Sequence, residues 1–112
     1  MVATVDVLIP TYRRPAALAV TLTSLAFQTF GDFRVVVSDQ SEGMDATEAG
    51  EVKAVVRLLR ARGHAVKTHK HLPRRGMAEH RQFLLDQAGA PYALFLDDDL
   101  VLEPDVIERM VR

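Results

Sequence analysis

The stretch Phe33-Arg34-Val35-Val36-Val37-Ser38-Asp39-Gln40-Ser41 decides the architecture of this chain. Phe33 to Val37 is too continuously apolar for a strand with one wet face. It predicts a strand covered on both sides, and such strands belong to parallel sheets. Ser38, Asp39, Gln40 and Ser41 follow as its C-terminal loop. Outward from this run, short β-rich segments alternate with longer helical stripes, and no internal repeat or low-complexity segment interrupts them. Upstream, Val5 to Ile9 is a first strand closed by Pro10. Pro15 suits the first turn of a helix, where its missing N–H costs nothing, and Leu18, Leu22 and Leu25 recur at i, i+4 and i+7 down one face before Gly31 and Asp32 end the unit. Downstream, a helix from about Thr47 carries Val52, Val55, Val56 and Leu59 on one stripe. It closes with Arg60 and Arg62 in the last turn and Gly63 just beyond. A third strand over Ala65 to His69, a third helix over Gly76 to Ala88 and a fourth strand over Tyr92 to Leu96 follow. Pro104 opens a last helix with Val106, Ile107 and Met110 inward.

A helix between each pair of strands calls for right-handed crossovers. The expected fold is a three-layer Rossmann-like α/β domain, a parallel sheet in the order 3-2-1-4 with helices on both faces. In such sheets a ligand binds beyond the carboxyl ends of the strands where the strand order reverses, here between the first and fourth strands. That points to Pro10 to Arg14 and to Asp97 to Asp99.

The 112 residues include 14 Lys or Arg and 15 Asp or Glu, for a formal charge of -1, which fits one ordinary domain with one core. With no cysteine, disulfides, a Cys-based zinc site, an iron–sulfur cluster and a thiol nucleophile are excluded. Near-neutral charge removes the main warrant for a general nucleic-acid binder, which needs a Lys/Arg excess on some face. No run approaches the ~18 apolar residues of a membrane span, and the N-terminus lacks a leader pattern. The expected location is cytoplasmic, with membrane attachment through further chain left open.

Asp97, Asp98 and Asp99 directly follow the fourth strand, so three carboxylates share one loop at the sheet's functional edge. They repel one another unless a cation or several donors compensate, and hard oxygen ligands at this density suit Mg²⁺ or Mn²⁺ bridging to phosphate. The plain alternative is a solvated acidic turn before the last helix. Asp39 closes the second strand similarly and can accept from a base or ribose, or simply form an Asx turn. Arg81 lies on the stripe Met77, Arg81, Leu84, Ala88, a permanent cation on the face the third helix should bury; it needs an anion or a route past the stripe to solvent. The run Lys67, His69, Lys70, His71, Arg74, Arg75 lacks interleaved aromatics and reads as a solvated strand end and loop. No G-x-G-x-x-G follows the first strand, no G-x-x-x-x-G-K-[ST] occurs, and no nucleophile elbow supports a Ser–His–Asp site.

Together these residues resemble the N-terminal, nucleotide-sugar-binding half of glycosyltransferase family 2, of GT-A fold, over nearly the whole chain. Val7-Leu8-Ile9-Pro10-Thr11-Tyr12-Arg13-Arg14-Pro15 is similar to the family's opening strand and "P-T-Y-N-R" loop, and Leu25-Ala26-Phe27-Gln28-Thr29 to "S-L-x-x-Q-T". Val35-Val36-Val37-Ser38-Asp39-Gln40-Ser41 resembles "V-V-V-D-D-G-S", Gly76 to Gln82 resembles "G-x-x-x-A-R-N", and Phe95-Leu96-Asp97-Asp98-Asp99 resembles the DXD motif. The resemblance implies a transferase that uses a nucleotide diphosphate sugar, a UDP-sugar by preference, and Mg²⁺ or Mn²⁺. Its nucleotide-sugar contacts would be Pro10, Thr11, Tyr12, Arg13, Asp39, Arg81, Asp97 and Asp98, with Asp99 and Asp97 toward the metal. Ser38 departs from the first acidic position, Arg13 stands where Asn is common, and His80-Arg81-Gln82 replaces "A-R-N". The acceptor pocket and the catalytic base are expected beyond Arg112, which makes the chain the N-terminal part of a longer transferase, with transfer to an unidentified acceptor hydroxyl. The fourth strand would then lie at an open edge that invites self-association. A rival reading takes Asp97-Asp98-Asp99-Leu100-Val101 as the D-x-D-x-[TV] of a haloacid-dehalogenase-like phosphatase, although that motif normally follows a first strand. A second rival is a non-catalytic nucleotide-binding or interaction domain.

Overall fold

Val5, Val7, Leu8 and Ile9 are buried without remainder, as are Val35 and Val36, so the two apolar runs form the centre of the sheet. The computed structural model describes residues 3–112. Its elements are β1 (Val5–Thr11), α1 (Pro15–Ala26), β2 (Phe33–Asp39), a 3-10 turn (Ala46–Glu48), α2 (Gly50–Ala61), β3 (Val66–Lys70), α3 (Met77–Asp86), β4 (Tyr92–Phe95) and α4 (Val106–Val111). The strands are all parallel in the order β3-β2-β1-β4, as the alternation predicted. Val7 sits opposite Val35 on one side and Leu94 on the other.

Successive side chains of a strand point to opposite faces, and both faces of β1 bury apolar side chains, the second together with Asp6, which pairs with Arg34. One face carries Val5, Val7 and Ile9 into the main core with Leu18, Leu22, Leu25, Val52, Leu59 and Ile107 from α1, α2 and α4. The other carries Leu8 and Val36 against Leu84, with Ala88 alongside, so this second layer is α3 alone and much thinner. α1 begins on Pro15 as expected. α2 is closed just beyond its end by Gly63, whose φ of +93° an L side chain rarely adopts, and the N–H of His64 then returns to the carbonyl of Leu59.

Four local expectations change. β2 runs on through Ser38 and Asp39, because both still pair with β1, opposite Pro10 and Thr11. Thr47 falls in the 3-10 turn, and α2 starts at Gly50. Met110 is 39% exposed, whereas Ile107 alone in α4 is fully buried, since six residues expose all but one narrow face. The stripe chosen for α3 is displaced: its buried side chains are His80 and Leu84, while Met77 and Arg81 face solvent. β4 is short and largely exposed, with Tyr92 at 50%. Among the described residues no helix is long and apolar enough to cross a membrane.

Candidate functional site

Backbone alternation places the site. Tyr92 donates to the carbonyl of Thr4 and Leu96 to that of Leu8, so even-numbered residues of β1 turn their peptide groups toward β4. The next rung would need an N–H from residue 10, and Pro10 has none. Pairing with β4 ends at Leu8 opposite Phe95, while pairing with β2 continues to Thr11. The sheet parts at its topological switch point, and a cleft of about 350 Å³ opens there, lined among others by Thr11, Tyr12, Gln40, Arg74, His80 and Asp98.

The acidic triplet divides by burial. Asp98 is 2% exposed and accepts from the hydroxyl of Thr11 at 2.8 Å and from Nη2 of Arg14, which ties the loop after β4 to the loop after β1. Asp97 and Asp99 are exposed, and Asp99 meets only the edge of Arg14, at 3.4 Å. Beyond the triplet, Leu100 N–H donates to Thr21 Oγ1 of α1, which fixes the loop from its far side. No cluster of three or more His, Cys, Asp or Glu side chains that could hold a metal occurs among the described residues. Two exposed carboxylates, Asp97 and Asp99, are hard oxygen donors but supply only part of the oxygen set that a Mg²⁺ ion takes.

The loop after β2 is built on Asp39. Its Oδ1 accepts the N–H and hydroxyl of Ser41, and its Oδ2 accepts Ala46 N–H at 2.8 Å and Lys70 Nζ at 3.2 Å. The Asx turn is thus real, and both oxygens are occupied. Burial pushes the Asp39 carboxyl up, but these donors outweigh it and hold it below its ordinary value. Beneath the cleft, His80 Nε2 lies 2.8 Å from Ser38 Oγ, both fully enclosed. Burial and the neighbouring His71 push His80 below its usual range. The two departures from the family motifs at positions 38 and 80 are one hydrogen-bonded pair.

Of the other residues singled out from sequence, Pro10, Thr11 and Tyr12 line the cleft. The backbone of Arg13 takes a positive φ of 55°, its N–H donates to Ser41 Oγ, and its guanidinium turns to the carbonyl of Glu42. Arg81 lies outside the lining, exposed, with its guanidinium 5.8 Å from the centre of the Phe95 ring. The basic run is solvated as expected at Lys67, Lys70, Arg74 and Arg75, with His69 and His71 half-buried, and several of its side chains find partners. Lys70 pairs with Asp39 and Asp45, His71 with Glu79, and Arg74 stacks 3.7 Å over Tyr12. Gln40, Arg74 and His80 join the site without having been assigned to it, while Arg14 lies in the stretch from Pro10 to Arg14 already marked. Arg74 could have been found by pairing the basic run with the lone aromatic of the first loop; the others carry no signal of their own.

The sequence model of Glycosyl transferase family 2 matches residues 6–112. The chain belongs to glycosyltransferase family 2. Its fold is GT-A, and the crystal structure of S. aureus TarS is similar at 27% identity and TM-score 0.76, over 96% of this chain and 19% of that one. S. aureus TarS 1-349 in complex with UDP-GlcNAc aligns at 24% identity and TM-score 0.77, over 96% of this chain and 30% of the other. The mannosyltransferase PcManGT from Pyrobaculum calidifontis, in complex with GDP-Man and Mn²⁺, shares the fold at 21% identity and TM-score 0.65, over 88% and 28%. No curated protein sequence matches. This family 2 chain spans less than a third of the length of those structures. Family membership displaces the phosphatase reading, whose motif would have to follow β1 rather than β4.

Proposed function

We propose that this family 2 chain binds a nucleotide diphosphate sugar, with a UDP-sugar favoured, in the cleft between β1 and β4. It would serve a transferase that passes the sugar to an acceptor hydroxyl. The observation that carries the reading is the parting of the sheet at Pro10, which sets Asp98, with exposed Asp97 and Asp99 on either side of it in the chain, at a cleft walled by Thr11, Tyr12 and Arg74. The residues that would hold Mg²⁺ or Mn²⁺ are Asp99 and Asp97. The ion, when bound, supplies Lewis-acid charge to the departing diphosphate.

Thr11 and Asp98 hold the two loops at a fixed separation, and Tyr12 with Arg74 offers a planar wall for the base. Pro10 and the turn at Arg13 shape the first loop, and Asp39 shapes the second through the hydrogen bonds it accepts. Arg81 makes no ion pair among the described residues, which leaves its guanidinium for an anionic part of the donor. The exposed edge of β4 is the surface through which copies of the chain would associate. Calorimetric titration with UDP in chelator and in Mn²⁺ tests the reading. Binding strengthened by Mn²⁺ is expected, and equal affinity in both, or none in either, would overturn it.

A further inference from the structure

Among the described residues, Gln40 is the one buried polar side chain with an unpartnered buried nitrogen or oxygen. It is 5% exposed, it lines the cleft, and its Nε2 has no partner among the described residues. Buried amides are otherwise almost always satisfied, and a methionine would fill the same length of space without stranding a donor. Its backbone is pinned, since Gln40 N–H donates to the carbonyl of Thr11 at 3.0 Å. The side chain is thus held at the junction of the β1 and β2 loops. In the motif that Val35 to Ser41 resembles, glycine stands at this place, so the amide is an addition of this chain.

The adjacent acidic residue has nothing left to offer a ligand. Both oxygens of Asp39 are taken by Ser41, Ala46 and Lys70, and the side chain is enclosed. A carboxylate can only accept, whereas an amide presents a donor beside an acceptor. That edge matches a base with a ring N–H next to a carbonyl, the arrangement of uracil and guanine. The neighbouring wall is flat, with the Arg74 guanidinium 3.7 Å over the Tyr12 ring. Ser38 and His80 are hydrogen-bonded to each other rather than to the amide.

We infer that Gln40 reads the nucleobase of the donor through its side-chain amide, in place of the neighbouring Asp39; this rests on the donor-binding reading above. The ligand it selects carries an N–H beside a C=O. An apolar residue here removes the stranded donor from the free protein and the contact from the complex, so stability and affinity move apart.

The test titrates wild type, Gln40→Met and Gln40→Asn with UDP, GDP and pyrophosphate, each with Mn²⁺, and melts each protein without ligand. Asn keeps the amide but falls one methylene short. Both variants should bind the better of the two nucleotides about tenfold more weakly. Pyrophosphate affinity should be unchanged and the Gln40→Met melting temperature equal to or above wild type. Nucleotide affinity equal to wild type in Gln40→Met overturns the inference and leaves donor binding standing. A variant that melts early and loses pyrophosphate in step also overturns it, by showing a structural residue. Wild type that binds pyrophosphate but neither nucleotide removes the donor-binding reading, and the inference with it.

Discussion

Replacing Asp98 and Asp99 by Asn, one at a time, separates two roles that adjacent carboxylates conceal. Asp98 is enclosed and accepts from Thr11 and from Arg14. Asn keeps one acceptor but turns an amide NH₂ toward a hydroxyl or a guanidinium, so one charge-assisted hydrogen bond is lost. That is a cost of about 1.5–3 kcal/mol where both partners are dry. The Arg14 side chain is 55% exposed, and water takes up its freed guanidinium, which reduces the expected loss to about 1–2 kcal/mol. For a domain of this size the melting temperature should fall by about 4–8 °C. Asp99 has one long contact to the same arginine and a solvated surface, so Asp99→Asn should cost no more than about 0.5 kcal/mol. The response to Mn²⁺ should run the other way. Asp99→Asn removes most of the metal-dependent gain in UDP affinity, and Asp98→Asn retains it. Thermal melts and paired titrations in chelator and Mn²⁺ read both quantities on the same samples. If Asp99→Asn melted early and Asp98→Asn melted with wild type but lost the Mn²⁺ response, the division of roles would be refuted.

Arg13→Asn should raise stability by about 0.5–1 kcal/mol, because Asn tolerates the left-handed backbone that Arg13 occupies and the side chain gives up an exposed bond to Glu42 and a distant 6.0 Å approach to the Tyr12 ring; a lower denaturation midpoint would contradict it. Arg81→Ala should weaken UDP binding and leave the melt unchanged, and lost stability with unchanged binding would mark a packing role against Phe95. Acid titration should show two segments. The unfolded chain protonates His80 before the folded one does, so stability falls as the pH drops below 6.5 and levels off once the folded value is passed. Asp6 and Asp39 are raised by burial but lowered further by Arg34 with Gly89 and Ala90, and by Ser41, Ala46 and Lys70, so their contribution is present above 3.8 and lost below it. His80→Gln should flatten the upper segment alone, as followed by denaturant midpoint against pH. Finally, the 112-residue chain should bind donor without transferring sugar: of the acid and base side chains lining the cleft, His80 is bonded to Ser38 and Asp98 to Thr11 and Arg14, and the exposed Asp97 and Asp99 are assigned to the metal. Product release from a labelled UDP-sugar in the presence of acceptors would show otherwise.

The sheet was legible because the signal that builds it is local. Phe33 to Val37 and Val5 to Ile9 declare two-sided burial by their own composition, and the helices between them leave one sensible topology. The α3 face was misread because its burial is decided at a distance. His80 is enclosed through Ser38, 42 positions earlier, and hydropathy along one helix cannot register a polar side chain that finds its partner on another strand. The same blindness hid Gln40 and gave no sign that Asp98 alone of the triplet would be enclosed. Three equal letters carry no mark of which one Thr11 and Arg14 will claim. Loop residues are read well only where a chemical type is rare, as with the three consecutive aspartates, or where geometry is severe, as with Pro10.

Pro10 also bears on how much work a ligand must do. A sheet is a zipper, and most residues at its tenth position would offer the tooth that engages the Leu96 carbonyl and pulls β1 and β4 together for another rung. The pyrrolidine ring stops the slider there permanently. An incoming molecule finds the strands already apart and spends none of its interaction energy prising them open. The mouth of the cleft is in this sense a covalent property, written into the ring of one residue rather than into a balance of contacts. Pro10→Ala should let the slider travel further, and amide exchange at residue 10 and at Asp98 would show how far.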